Sequence, residues 1–257
     1  MYENLTITTS WDDGHPLDLR IAELLAKHGL RGTFYVPLRN SLPTMSSSQI
    51  RELSACFEIG AHTVNHVRLT GLDENHARRE IQDCKAQLED ILGKPCSIFC
   101  FPGGNYRSVH LPMLRDAGFS AARTVELLSF QRPQIKGGIS LIPTTIQAYP
   151  HGAGAYFRNA LKRRSRGALQ NLLLGCRAGD WPQLVRLSLE RAERLGGVFH
   201  LWGHSWEIEN TVQWAALDQA MAIVSQYAQR ASVVTNGELC NHGRTSKLAP
   251  ELAVLSR

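Results

Sequence analysis

The chain has 257 residues, of which 43% are hydrophobic and 20% charged, and it carries a formal net charge of +5. This composition suits one globular α/β domain with a sizeable core. The 6 cysteines contain no Cys-x-x-Cys pair, which argues against a thiolate zinc knuckle or a disulfide framework and predicts free thiols. No apolar run is long enough to span a membrane and no leader-like segment precedes the first strand, so we expect a cytoplasmic protein.

Strands and helices alternate along the chain, beginning with a β-branched stretch at residues 5–11 that alternates apolar with polar side chains. An apolar helix face leads to a short buried strand at 33–36, and a helix that Asp73 can cap and Gly93 can end leads to a strand at 98–101. Further strands are predicted at residues 58–61, 119–125, 198–203 and 232–235. This order predicts a mostly parallel sheet, in which reacting groups gather at the C-terminal ends of the strands.

Two adjacent carboxylates follow the first strand. On extended backbone Asp12 and Asp13 point to opposite sides, so one can hold a cation while the other faces a substrate or water. Two such acids repel each other, and without a cation or donors between them one would tend to stay protonated at neutral pH. The alternative interpretation is a turn that caps the helix beginning near Pro16.

Two histidines four residues apart follow the strand at 58–61. On a helical turn His62 and His66 would share a face, so their imidazoles could converge on one ion. Two imidazoles and one carboxylate make a three-ligand site with the open position that a catalytic zinc needs. Such an ion lowers the pKa of bound water to about 7 and polarises a carbonyl oxygen, which are the two tasks of amide or ester hydrolysis.

Two further segments fit this chemistry. The strand at 98–101 breaks into a Pro-Gly-Gly loop whose backbone can offer an N–H to a developing oxyanion, although such a loop is also an ordinary turn. His204 comes just after the strand at 198–203 and could protonate a leaving amine. His200 lies inside that apolar strand, where we expect a hydrogen-bonded core residue instead.

In order, these motifs are Ser-Trp-Asp-Asp, His-Thr-x-x-His, Phe-x-x-Pro-Gly-Gly and Leu-x-x-His. They resemble the polysaccharide deacetylase (NodB-homology) domain of carbohydrate esterase family 4, over roughly residues 5 to 240. The resemblance implies an α/β fold, a distorted (β/α) barrel with about seven strands. It also implies a divalent metal ion, usually zinc, and hydrolytic removal of an acetyl group from an N-acetylated amino sugar in an oligosaccharide or glycan precursor.

The resemblance also assigns roles to individual residues. It implies Asp12 as the general base, Asp13, His62 and His66 as the metal ligands, His204 as the general acid, the Gly103 N–H as an oxyanion contact and Leu201 as a wall of the acetyl pocket. We add Tyr106 and His151 as candidate substrate contacts, although an exposed loop histidine is an equally good interpretation of His151.

The sequence departs from the family at two places. Many members have an arginine two residues before the proline, where it braces the base, and here that position is Cys100. The acid that usually orients the last histidine has no evident counterpart, because residues 139–151 contain no Asp beside a Trp. These departures predict a divergent branch.

Two successive helical stretches, 156–176 and 181–196, interrupt the alternation. We interpret residues from about 153 to 196 as an insertion in a single domain that spans 1–240, followed by a flexible tail at 241–257. The insertion could cover the barrel mouth, form a subunit contact in a homo-oligomer, or be an ordinary long connection. Its basic residues, from Arg158 to Arg166, suit a solvated face or an anionic phosphosugar, and no nucleic-acid motif accompanies them.

Three functions remain open from the sequence. The first is a metal-dependent deacetylase acting on an amino sugar. The second is an amidase acting on a cyclic imide or ureide, a reading that the complete set of Asp13, His62 and His66 disfavours. The third is a sugar-binding barrel without turnover, which Cys100 and the missing partner acid motivate.

Overall fold

A computed structural model describes residues 5–151 and 178–241. Its strands are β1 (Thr6–Asp12), β2 (Thr33–Val36), β3 (Glu58–Ala61), β4 (Ile98–Cys100), β5 (Ala121–Arg123), β6 (Gln134–Lys136), β7 (Ile139–Ile142), β8 (Ile146–Gln147), β9 (Val198–Gly203) and β10 (Ser232–Val233). Its helices are α1 (Asp18–Lys27), α2 (Ser47–Leu53), α3 (Glu74–Leu92), α4 (His110–Asp116), α5 (Trp181–Leu195), α6 (Ser205–Asn210) and α7 (Trp214–Ala228).

The strands form one curled sheet in the order β6-β7-β5-β4-β3-β2-β1-β9-β8, with β10 beside β1. Every pairing is parallel except the antiparallel pair of β6 and β7. Within the described ranges no pairing joins the outer strands β6 and β8, so the barrel is open on that side. The predicted fold class, a distorted (β/α) barrel, is confirmed.

Seven predicted strands are present, and three more accompany them. The unpredicted strands β6, β7 and β8 have four residues or fewer, and all three residues of β6 are exposed. Segments this short carry little period-two signal, which is why the sequence pattern did not reveal them.

The strand β1 is an interior strand of the sheet and is buried along its whole length. It pairs with β9 on one side, and with β10 and then β2 on the other. Two of its polar side chains form contacts inside the barrel: the Thr8 hydroxyl donates to the side-chain oxygen of Asn236 at 2.9 Å, and the Ser10 hydroxyl lies 2.9 Å from Nε2 of His200. Because side chains alternate along a strand, Asp12 faces the same interior as Thr8 and Ser10.

The helices cover the outside of the sheet. The predicted boundaries of α3 are confirmed, because the Asp73 side chain accepts the His76 N–H and Gly93 ends the helix in the left-handed conformation. The helix α5, the second half of the predicted insertion, packs against α7 and β9 in this outer layer. The helical stretch at 156–176, its basic residues and the tail from 242 onward lie outside the described residues, so their predicted roles stay predictions. Among the described helices, none combines the length and apolar character needed to cross a bilayer.

We predict that β3 does not tolerate a side chain at Gly60, because Tyr35 lies too close. A Cβ on Gly60 would lie 2.5 Å from two ring carbons of Tyr35, so Gly60→Ala should overpack the barrel interior and lower the free energy of unfolding by about 1–3 kcal/mol. Urea unfolding measures this. Gly71→Ala is the control, because a Cβ there meets nothing within 4 Å, and a loss there equal to that of Gly60→Ala would contradict the packing argument.

Candidate active site

The predicted site residues meet at one rim of the sheet. Asp12 ends β1, His62 follows β3, Gly103 follows β4 and His204 follows β9. Since these strands run parallel, their C-terminal ends lie at the same edge, which is where the sequence placed the reacting groups.

Three side chains form a donor cluster beside β1. Oδ1 of Asp13 lies 2.9 Å from Nε2 of His66 and 3.6 Å from Nε2 of His62, and the three potential ligand atoms all lie within 4.8 Å of one another. Oδ1 of Asp13 is buried and makes no hydrogen bond. A buried carboxylate oxygen that faces two imidazole nitrogens without a donor fits a divalent cation, because oxygen and imidazole nitrogen are ligands that zinc accepts.

The cluster is held by contacts behind it. Nδ1 of His62 donates to the Cys100 carbonyl oxygen at 2.8 Å, which leaves Nε2 as the lone-pair nitrogen facing Asp13. The Trp206 indole N–H donates to Oδ2 of Asp13 at 2.8 Å. Burial by itself would raise the pKa of Asp13, but its contacts with His62 and His66 hold that pKa well below its usual range.

The two histidines do not converge on a helical turn, so that part of the prediction is wrong. Residues 62–66 form a loop without regular secondary structure, in which Thr63 has a φ of +67° and His66 a φ of +51°. Asp13 is also left-handed, with a φ of +78°. Left-handed backbone is rare for residues other than glycine, and especially for a β-branched threonine. Asp13, Thr63 and His66 all lie in or beside the donor cluster. A cluster of strained residues is typical of a functional site, where contacts from the surrounding structure hold the strained backbone in place.

The loop is anchored from α3. Asn65 donates its backbone N–H to Glu80 at 3.0 Å and its side-chain amide to the other Glu80 oxygen at 2.5 Å. The Thr63 hydroxyl also accepts the Val67 N–H at 3.2 Å. These bonds offset the cost of the left-handed residues and fix the two imidazoles.

Asp12 lies beside the cluster and points into the barrel interior. Its Oδ2 forms an ion pair with Nη2 of Arg123 and lies 4.0 Å from Nε2 of His204, while Oδ1 is buried without a hydrogen bond. Burial by itself would raise the pKa of Asp12, but the positive charge of Arg123, followed by His62 and His204, lowers it overall. The carboxylate is therefore ionised at neutral pH.

His204 is oriented by an acid that the sequence analysis missed. Its Nδ1 donates to Oε2 of Glu207 at 2.6 Å, and that oxygen also accepts the Gln147 side-chain amide at 2.8 Å. Burial would lower the pKa of His204, but Glu207 and the carboxylates of Asp12 and Asp13 raise it to about 9. The available signal was a carboxylate three residues after His204, one turn along a short helix.

Arg123 is the second residue that sequence reasoning missed. It is the last residue of β5 and is completely buried, which is rare for an arginine without a functional or structural partner. The available signal was a single charge at the end of the predicted strand Phe-Ser-Ala-Ala-Arg.

The remaining predicted residues have mixed outcomes. Gly103 lies exposed in the loop after β4 with a φ of +63°, and its N–H has no partner among the described residues. Tyr106 is half-buried and stacks on Phe101, with ring centroids 4.7 Å apart. His151 is also half-buried, and its Nε2 lies 2.8 Å from the Gln147 carbonyl oxygen, which connects it to Glu207 rather than leaving it in solvent.

Leu201 does not reach the site. His200 and Trp202 face the barrel interior, as their contacts with Ser10 and Arg123 show, so Leu201 between them faces the helices. It is a fully buried core residue. The prediction for His200 is confirmed: its Nδ1 donates to the Pro143 carbonyl oxygen, and burial together with Arg123 lowers its pKa to about 3.

The fold and the donor cluster place the chain among (β/α) barrels with a candidate metal centre at the strand C-terminal ends. Residues 3–122, just under half of the chain, match the family model described as polysaccharide deacetylase, which confirms the resemblance found from the motifs.

Known proteins resemble this chain at low sequence identity. YxkH of Bacillus subtilis (strain 168), described as a polysaccharide deacetylase, is 23% identical over 133 residues, which cover 50% of this chain and 47% of that protein. The match therefore spans about half of that relative's length. A Mycobacterium smegmatis protein described as a polysaccharide deacetylase has a TM-score of 0.72 at 17% identity, over 96% of this chain and 92% of that one. Puue allantoinase has a TM-score of 0.67 at 11% identity, over 93% and 89%. These structures share the fold.

We predict that Trp206 tunes metal binding without being a ligand. Trp206→Phe removes the indole donor to Asp13 while keeping the ring, so the Kd for zinc should rise about 10- to 100-fold, as for other groups that orient metal ligands. Competition with a chromogenic chelator measures the Kd. Trp214→Phe is the matched control, because its indole donates to Glu209 away from the cluster; equal Kd values for the two variants would rule the prediction out.

Proposed function

We propose that this chain is a metal-dependent hydrolase that removes an N-acetyl, or another acyl, group from an amino sugar in a glycan or glycan precursor. One observation carries the proposal. A carboxylate and an oriented imidazole flank the three-residue donor cluster, with Nε2 of His204 4.0 Å from Asp12 and 3.9 Å from Asp13. Hydrolysis of an amide needs a base, an acid and a group that polarises the carbonyl, and this geometry supports all three.

Asp13, His62 and His66 would hold the ion, for which we propose zinc. When bound, such an ion acts as a Lewis acid toward the acyl carbonyl and makes water more acidic. Trp206 fixes one oxygen of Asp13 and the Cys100 carbonyl fixes the His62 ring, so the donor atoms keep their directions.

The proton transfers fall to Asp12 and His204. Asp12 accepts a proton from the attacking water, whose oxygen forms the new bond to the acyl carbon. His204 gives a proton to the departing nitrogen as the carbon–nitrogen bond breaks, so acetate and a free amine are formed. Glu207 keeps the imidazole ring in position for that transfer, and the free N–H of Gly103 is our proposed donor to the oxyanion.

The family match supports an acetylated amino sugar as the substrate class. Tyr106, half-exposed beside Gly103, is our proposed platform for a sugar ring, because an aromatic face packs against the apolar face of a pyranose. His151 extends the polar network from Glu207 toward the substrate side. The candidate substrates are an acetylated oligosaccharide, a nucleotide sugar and a phosphosugar.

Each of the other two functions rests on a specific feature. The fold similarity to Puue allantoinase favours the amidase function. The complete set of Asp13, His62 and His66 disfavours it. The non-catalytic sugar-binding barrel was motivated by Cys100 and by a missing partner acid. In the structure Arg123 contacts the proposed base and Glu207 contacts the proposed acid. Both reasons for expecting a non-catalytic barrel are therefore weaker.

We propose a cytoplasmic location as well. Cys56, Cys84, Cys96 and Cys100 are free thiols, and burial raises the pKa of Cys96 to about 12, which keeps it unreactive. Free thiols suit a reducing compartment.

The central test is acetate release from a panel of acetylated amino sugars, nucleotide sugars and cyclic amides, with elemental analysis of the same preparation. We expect about one divalent ion per chain, activity on at least one acetylated sugar, and loss of about 10²- to 10⁴-fold in kcat for Asp12→Asn, because the base is removed. A metal-replete Asp12→Asn chain with full activity would falsify the role of the base. Turnover of cyclic amides alone would favour the amidase.

Glu207→Gln should lower kcat by about 10- to 100-fold while the metal content stays constant, because the neutral amide no longer stabilises the correct His204 tautomer. Glu209→Gln, two residues along the same helix and exposed, is the matched control. If both variants keep the kcat of the unsubstituted chain, His204 does not depend on Glu207 and is not the acid in the way proposed.

A further inference from the structure

We propose that Arg123 is the positioning residue of Asp12, and that it does from β5 what an arginine at position 100 on β4 would do in the related domains. The inference rests on the proposed function, since it assigns a support to the proposed base. Related barrels would place the guanidinium on the strand that ends in the Pro-Gly-Gly loop, whereas this chain places it one strand further from β1.

The strand register explains how a side chain at position 123 can take the place of one at position 100. Cys100 and Arg123 are partners in the parallel pairing of β4 and β5, so their side chains leave the sheet on the same face. Both reach Oδ2 of Asp12: Arg123 through Nη2, and Cys100 through Sγ at 3.8 Å. Arg123, the longer side chain, lies on the strand that is further from β1, and Cys100, the shorter one, lies on the nearer strand. Together the two side chains fill the space around Asp12.

Aromatic rings hold the guanidinium in place. The Arg123 guanidinium lies 4.6 Å from the ring centroid of Trp202 and 5.5 Å from that of Tyr35. The Tyr35 hydroxyl is itself fixed, because it accepts the Asn236 side-chain amide at 2.9 Å. Cation–π contacts with two fixed rings restrict the guanidinium to the position facing Asp12.

The contact fixes one oxygen of the base and leaves the other available. Arg123 and Cys100 both approach Oδ2, whereas Oδ1 of Asp12 has no hydrogen bond among the described residues. Arg123 has no exposed surface, so it cannot touch a substrate. Its influence on the reaction therefore passes through Asp12, and substrate affinity should not depend on it directly.

A double-mutant cycle tests this dependence. Arg123→Gln should lower kcat by about 100-fold with a change in KM of less than about threefold, because the lost contact is with the base and not with substrate. In the Asp12→Asn background the same substitution should change kcat by less than about threefold, because the carboxylate that Arg123 positions is already gone. Equal losses in the two backgrounds would overturn the inference.

Arg123→Lys and an exchange variant serve as controls for a purely structural effect. Lysine keeps the buried charge but lacks the planar fork, so we expect an intermediate loss of about tenfold in kcat. The double variant Cys100→Arg with Arg123→Cys returns the guanidinium to β4, and it should recover at least about tenfold in kcat over Arg123→Cys alone. A folded, metal-replete exchange variant with no recovery counts against the inference, and so does a full kcat in both Arg123→Gln and Arg123→Lys.

Failure of this inference is separable from failure of the proposed function. If the unsubstituted chain releases no acetate from any substrate in the panel, the proposed function fails. If that chain is active and the cycle is additive, only the role of Arg123 fails. Thermal unfolding and metal content accompany each variant, and if Arg123→Gln does not fold, the cycle is carried out with Arg123→Lys, for which equal losses in both backgrounds are the contradicting result.

Discussion

The site depends on how this fold accommodates buried negative charge. Asp12 and Asp13 are adjacent at the end of β1, and their exposed fractions are only 3% and 2%. Two carboxylates so close together and so far from water are unstable unless each has its own compensation. Asp12 receives it from the buried guanidinium of Arg123, and Asp13 receives it from two imidazoles and an indole N–H. Both carboxylates lie near His204, whose Nε2 is 4.0 Å from Oδ2 of Asp12 and 3.9 Å from Oδ2 of Asp13, while their other partners come from different elements.

A third buried acid next to the site is stabilised in a different way. Asp18, at the start of α1, is fully buried and accepts the Ser205 hydroxyl at 2.5 Å, without a cationic partner of its own among the described residues. Burial raises the pKa of Asp18 well above its usual value, which weakens the tendency of this group to add a third negative charge. Its bond to Ser205 ties α1 to the start of α6, directly after His204. The same residue type therefore serves as an ion-paired carboxylate, a candidate ligand and a buried structural link, and the surroundings decide which.

The two departures from the family pattern have a common physical explanation. A supporting side chain only needs to reach its partner in space, so it can come from any element that ends at the same rim. Arg123 reaches Asp12 from β5, and Glu207 reaches His204 from the helix that follows β9. The residues proposed to touch the substrate or the ion stay at the motif positions, because their backbone positions at the strand ends define the geometry. In this chain the two supports come from outside the family motifs, whereas the residues that they contact stay at motif positions.

Local sequence was sufficient for the alternation of strands and helices, for the placement of Asp12, His62, Gly103 and His204 at one rim, and for the interpretation of His200 as a core residue. These properties follow from periodicity and from the direction of parallel strands, both of which are local. Only the tertiary structure decided the loop conformation at Thr63 and His66, the outward orientation of Leu201, and the contacts of Arg123 and Glu207. Left-handed backbone, strand register and ion pairs between separate elements depend on atoms far apart in the chain, and a single sequence contains no distance between such residues.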